Sequence, residues 1–141
     1  MNAQRATRRK PLGKAEYEAL SAFRYALRRF LRFSEAAAAA VGLTPHQHQA
    51  LLAIKGFPGR DHITNKELAE RLQIKHHSAV GLVNRLEAQG LVVRQRSGSD
   101  RREVHVALTQ RGAELLEQLT AAHREELQRL APQLSAILEN L

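Results

Sequence analysis

The chain reads as a mainly α-helical protein with one small β-hairpin, and three features of its 141 residues predict this. Residues 63–108 contain two short amphipathic helical patterns separated by a tight turn. Two β-rich runs follow, 91–96 and 103–108, joined by the polar tip Ser97-Gly98-Ser99-Asp100-Arg101-Arg102. Long helical patterns flank this block on both sides. Helix, turn, helix and hairpin make a winged helix-turn-helix, in which one helix enters a major groove while the hairpin reaches an adjacent groove or the phosphates. The expected organisation is one structural unit: a basic flexible tail over 1–13, a long N-terminal dimerisation helix over 14–42, the winged helix-turn-helix lobe over 43–108, and C-terminal dimerisation helices over 109–141.

Composition narrows the function. Hydrophobic residues make up 43% of the chain, enough for a packed core, and aromatics only 4%, so that core is aliphatic. A net charge of +8 favours a polyanionic partner, a nucleic acid or an anionic membrane surface. The absence of cysteine excludes disulfides, thiolate metal sites, cysteine nucleophiles and a peroxide-sensing thiol, and it fits a cytoplasmic protein. No apolar run is long enough to span a bilayer, and no apolar stretch follows the basic start, so neither a membrane partner nor a secretory signal is expected. Arg5, Arg8, Arg9, Lys10 and Lys14 all precede the first acid, Glu16, and read as a solvated basic arm.

The elements follow in order. Over 14–41, Tyr17, Leu20, Leu27 and Leu31 form one helical stripe, and Phe23, Phe30, Phe33 and Ala37 a second. Two stripes imply burial on two sides, one against the chain's own domain and one against a second copy. Gly42 ends this helix. Thr44, Pro45 and Gln47 supply an N-cap, a first-turn proline and a capping box for the next, whose apolar face is Ala50, Leu51 and Ile54. Gly56, Pro58 and Gly59 stop it, and residues 57–62 read as a loop. Thr64 and Glu67 form another capping box, with Ile63 and Leu68 as its hydrophobic staple. That helix breaks at Gln73. The following one spans 76–89, with Val80, Val83 and Leu86 as its buried side and Gly90 as its stop. Two strands come next. Thr109 then caps a helix expected to end at Pro132, before a short amphipathic tail over 134–141.

The candidate nucleic-acid surface lies on the 76–89 helix and the hairpin. Opposite its predicted apolar side the helix carries His76, His77, Ser78, Gly81, Asn84 and Arg85. Lys75 and the first-turn amides suit a phosphate, and His, Ser, Asn and Lys can all donate to bases or phosphates. Arg94 and Arg96 flank the hairpin tip. An arginine there can enter a narrow minor groove, with Asp100 orienting Arg101 or Arg102 through a charge-assisted hydrogen bond. Double-stranded DNA is therefore the expected partner.

Several motifs together resemble the MarR family of transcriptional regulators. They are Leu43-Thr44-Pro45, the run Glu67-Leu68-Ala69-Glu70-Arg71-Leu72, and Val83-Asn84-Arg85-Leu86-Glu87-Ala88-Gln89-Gly90-Leu91-Val92. Asp100-Arg101-Arg102 and Leu108-Thr109-Gln110-Arg111-Gly112 complete the set. The resemblance implies a homodimer joined by the N-terminal helix and the last two helices. It also implies repression at a pseudo-palindromic operator, relieved by a small effector bound between the dimer region and the winged lobe. DNA roles then fall to Lys75, His76, His77, Ser78 and Arg85, and to Asp100, Arg101 and Arg102. The chain departs from the family pattern at Gln73, where glycine is usual, and near Gly81 and Leu82, where a polar or basic residue is common. If His76 or His77 meets a phosphate, DNA affinity should rise on acidification.

An aromatic or anionic effector would have Tyr17, Phe23, Tyr25, Phe30, Phe33 and Phe57 to contact, with Arg24, Arg28 or His48 as anion partners. No pocket is assignable from sequence. No cofactor and no metal is expected: His46 and His48 are two apart on a helix and diverge, as do His76 and His77, and a site would have to gather His46 or His48 with His62, His105 or His123. No catalytic motif is present, so an enzyme is not expected. The rival classes are a winged-helix module that binds protein, and a non-specific nucleic-acid binder without ligand control.

Overall fold

A computed structural model describes residues 11–96 and 103–141. The readings made for residues 1–10 and for the hairpin tip, including Asp100, Arg101 and Arg102, lie outside them. Along the chain come α1 (Lys14–Ala40), α2 (Pro45–Lys55), β1 (His62–Ile63), α3 (Asn65–Leu72), α4 (His76–Ala88), β2 (Val92–Arg96), β3 (Val104–Leu108) and α5 (Gln110–Glu139).

Helix ends are set by local chemistry. α1 stops where Gly42 adopts φ 80°, with Leu43 N–H donating to Ala38 O and Gly42 N–H to Ala39 O. At α2, Thr44 Oγ1 accepts from Gln47 N–H and Gln47 Oε1 from Thr44 N–H. The same reciprocal pair, Thr64 with Glu67, opens α3. Burial pushes the Glu67 carboxyl up, but the bonds from Thr64 and the Arg60 guanidinium outweigh it and hold its pKa below the ordinary value. Gln73 is the only described non-glycine residue with positive φ, at 54°, and its side-chain amide donates to Glu70 O at 2.8 Å. That local bond helps a residue with a Cβ hold a turn that glycine enters without steric cost.

The core lies under the helix-turn-helix. Leu51, Ile54, Ile63, Leu68, Val83, Leu86 and Val106 are fully buried in it, and Leu116 and Leu119 bring the first half of α5 into the same cluster. α1 and α5 pack together as a long arm. They run antiparallel: Ser34 meets His123, while Tyr17 and Leu20 share a small apolar pocket with Leu141.

Four expectations need correction. Residues 57–62 are not all loop, because His62 and Ile63 pair with Ala107 and Val106, making β3 the centre of an antiparallel sheet in the order β1-β3-β2. Two residues are too few to show a period of two. On α4 the buried side is Ala79, Leu82, Val83 and Leu86, with Val80 only half-buried. Leu82 thus faces the core and was never available to a groove. α4 itself ends at Ala88, with Gln89 as its cap. Finally, α5 is one helix that continues through Pro132. Proline deprives Gln128 O of its helical donor, but both residues are exposed, so water can satisfy the carbonyl.

One joint ties arm to lobe. Thr109 N–H donates to Leu91 O at 3.0 Å, Thr109 Oγ1 donates to Gly90 O at 2.6 Å and also accepts from Gly112 N–H at 3.1 Å. A Cβ on Gly112 would lie 2.1 Å from Leu91 O, a backbone atom that cannot step aside alone. Gly112→Ala should therefore destabilise the protein by about 1–3 kcal/mol, the usual range for overpacking, measured as a lower urea midpoint.

Candidate nucleic-acid interface

The site is built on α4 and the strand after it. α4 opens at Lys75, whose backbone is extended and whose side chain makes no capping bond. The helix's first amides thus lack the side-chain acceptor that caps α2 and α3. Lys75, His76, His77, Ser78, Asn84 and Arg85 are all exposed. An ideal Cβ on Gly81 would lie 3.7 Å from Arg85 Nη1, so the Arg85 guanidinium lies back along the helix over the glycine.

Two features of this surface escaped the sequence reading. His46, at the start of α2, joins Ser78 and Arg85 in an open cleft of about 480 Å³ that also takes in Thr44, Ile74 and Leu82. Arg94 turns from β2 onto α4, donating from Nη1 to Glu87 Oε1 at 2.7 Å and from Nη2 to Asn84 Oδ1. Both depend on which residues of distant segments meet, and no local spacing reports that. Arg96, the other predicted arginine of the hairpin, is exposed at the end of β2, paired in register with Val104. Asp100, Arg101 and Arg102 fall outside the described residues.

Behind this surface, α2 is locked to α4 and to the arm. The buried Gln47 donates from Nε2 to Gln89 Oε1 at 3.2 Å. His48 is buried, and its ring centroid lies 4.8 Å from that of His123 on α5. His123 in turn bonds Leu119 O through Nδ1 at 2.6 Å and Ser34 Oγ through Nε2 at 2.8 Å, with the edges of Phe30 and Phe33 around it. Three helices therefore converge on one imidazole. His62 and His105 form a second pair, stacked at 4.4 Å. One of the histidine pairings that a metal site would have needed, His48 with His123, does form, but among the described residues no group of three or more His, Asp or Glu side chains is placed to hold a metal ion.

The aromatic residues do not converge on one pocket. Phe30 and Phe33 pack on His123, Phe57 lies against the guanidinium groups of Arg60 and Arg71, and Tyr25 against that of Arg29. A groove of about 420 Å³ between α2 and α5 is lined instead by Lys55, Leu116, Glu117, Thr120 and Arg124, with Ala113 and Ala121.

Comparison with known proteins places this geometry. The model of the MarR family matches residues 41–103. A protein described as a transcriptional regulator for the hcr operon of Thauera aromatica is 30% identical over 106 residues, which are 75% of this chain and 62% of that protein. The organic hydroperoxide resistance transcriptional regulator of Bacillus subtilis strain 168 is 31% identical over 111 residues, 72% of this chain and 74% of that protein. Among solved structures, a mutant of the S. aureus regulator MepR bound to an oligodeoxyribonucleotide aligns with a TM-score of 0.67 at 25% identity, covering 83% of each chain. A MarR family protein from Bacillus stearothermophilus shares the fold, with a TM-score of 0.76 at 21% identity over 86% of this chain and 82% of that one. No described helix is long and apolar enough to cross a membrane.

Burial and the neighbouring His123 ring hold the His48 pKa below its ordinary value of 6.5. The unfolded chain then binds more protons than the folded one in that range. The stability this group contributes is complete above pH 6.5 and is lost as pH falls toward the folded pKa. Denaturant titrations should show stability declining on acidification below pH 6.5, and His48→Leu should flatten that decline.

Proposed function

Since the chain belongs to the MarR family of transcriptional regulators, we propose that it is a DNA-binding repressor that works as a homodimer on a pseudo-palindromic operator. The observation that carries this reading is the exposed face of α4. His76, His77, Ser78 and Arg85 stand together there, beside Lys75, the uncapped helix start and the hairpin strand bearing Arg96. A recognition helix presents just such a face to base edges, with cations and helix-start amides on the flanking phosphates. The hairpin tip, with Asp100, Arg101 and Arg102, would follow the backbone or enter the minor groove. His46 would add a donor from α2 at the Ser78–Arg85 cleft.

The dimer rests on the arm. Tyr17, Leu20, Leu31, Leu127, Leu138 and Leu141 stay 43–62% exposed although they sit on an otherwise packed helix pair. Tyr17 and Leu20 lie beside Leu141, and exposed apolar side chains gathered on one arm are normally covered by a partner. A second copy would bury it and set two α4 helices roughly 34 Å apart, one turn of duplex. An effector, where one acts, would be anionic: Lys55 and Arg124 line the α2–α5 groove, which joins lobe to arm. Its binding would relieve repression by changing the spacing of the two lobes.

Three measurements test this. Light scattering at micromolar concentration should give a dimer, and Leu20→Glu should shift it toward monomer. Selection from genomic fragments should enrich a two-fold symmetric site, held against random-sequence competitor; uniform binding would leave a non-specific nucleic-acid binder, and no binding a protein-interaction module. Affinity should fall linearly on a log–log salt plot, and Arg85→Ala should make that slope shallower by about 0.9, the share of one neutralised phosphate.

A further inference from the structure

The Arg94 side chain is only 27% exposed, and both of its terminal nitrogens are spent on α4, on Glu87 and on Asn84. A guanidinium has donors and no acceptor. The end of the Asn84 amide turned toward it must therefore be the carbonyl oxygen, whatever the side chain would choose alone. Glu87 holds the other arm of the fork and stops the guanidinium from swinging away. The amino group of Asn84 is left pointing off the strut. Asn84 is exposed, and it shares a helical face with His77 and Gly81, at spacings of seven and three residues. Gly81 itself adds no side chain to that face, where the Arg85 guanidinium lies over it.

We propose that Arg94 is a positioning residue and Asn84 a specificity-determining one, reading a hydrogen-bond acceptor in the major groove with its amino group. This rests on the operator-binding reading above. An asparagine free to turn pairs with adenine, accepting from N6 and donating to N7. With its oxygen drawn to Arg94, the amide offers a donor, and guanine presents two acceptors, O6 and N7, where adenine presents one acceptor and one donor. The base pair under Asn84 is thus guanine in preference to adenine. The arginine nearest the hairpin root acts through its neighbour and makes no phosphate contact.

The test compares all four base pairs at each position of the selected operator, for the parent, Asn84→Ala, Arg94→Ala, Arg94→Lys and Glu87→Ala, with salt slopes for each and thermal melts to confirm folding. The parent should favour guanine over adenine at one position by about fivefold, the worth of one hydrogen bond. Asn84→Ala should erase that preference. Arg94→Ala should shift it toward adenine at an unchanged salt slope. Arg94→Lys, which keeps the charge but not the two-armed fork, should do the same. Glu87→Ala should relax the same position; if Glu87 only repels DNA, affinity rises uniformly instead and the strut is refuted. A salt slope shallower by about 0.9 in Arg94→Ala would make Arg94 a phosphate contact and overturn the proposal. So would a base preference that every Arg94 variant leaves intact. A parent without any sequence preference sinks the operator reading itself, which is a separate failure.

Discussion

Everything in this molecule turns on the contact between the Leu91 carbonyl and the start of α5. Leu91 closes the turn after α4, and its carbonyl accepts from Thr109 while Gly112 packs directly over it. One end of α4, the root of the hairpin and the base of the long arm thereby meet at a single atom. Close approach of two backbones is possible only where no Cβ intervenes. The lobe and the first turns of α5 are consequently packed as one unit, around a common hydrophobic cluster.

The second brace is polar. Ser34, His48 and His123 gather α1, α2 and α5 around one ring pair. Nδ1 of His48 is buried without a hydrogen-bond partner among the described residues. A buried, unpaired imidazole nitrogen is costly, and the surrounding aliphatic packing must offset that cost. Beyond the shared hydrophobic cluster, the arm is thus joined to the lobe by a backbone contact and an aromatic cluster. These are very different joints, one made of backbone atoms and the other of side chains.

What was legible in the chain was what is local. Thr44-Pro45-x-Gln47 and Thr64-x-x-Glu67 announce helix starts because a capping box is closed within four residues. Gly42 and Gly90 announce helix ends because a left-handed residue is needed there. Gln73 was readable as a strained turn for the same reason. What was illegible depended on distance. β1 exists only because residues 62 and 63 meet 107 and 106. Pro132 reads as a stop, yet its exposed position lets the helix run on. The α4 face was misphased by one residue pair, since Val80 and Leu82 are equally apolar and only the packing chooses between them. In the site, the residue types and the helix were readable from charge and spacing, whereas the engagement of Arg94 with Glu87 and Asn84 was not, because a lone arginine on a hairpin looks the same whether it faces solvent or a neighbouring helix.

The strand order β1-β3-β2 has a consequence of a different kind. With β3 in the middle, β2 is left with one side of its backbone unpaired in the sheet among the described residues. An open ladder of that sort is a template for other extended chains, and folded proteins defend it with charge. Here the strand is Val-Val-Arg-Gln-Arg, with Gln95 and Arg96 exposed and Arg94 fixed at its middle. The charge on Arg96 keeps this edge from recruiting stray polypeptide, so neutralising it would invite fibril-like self-association.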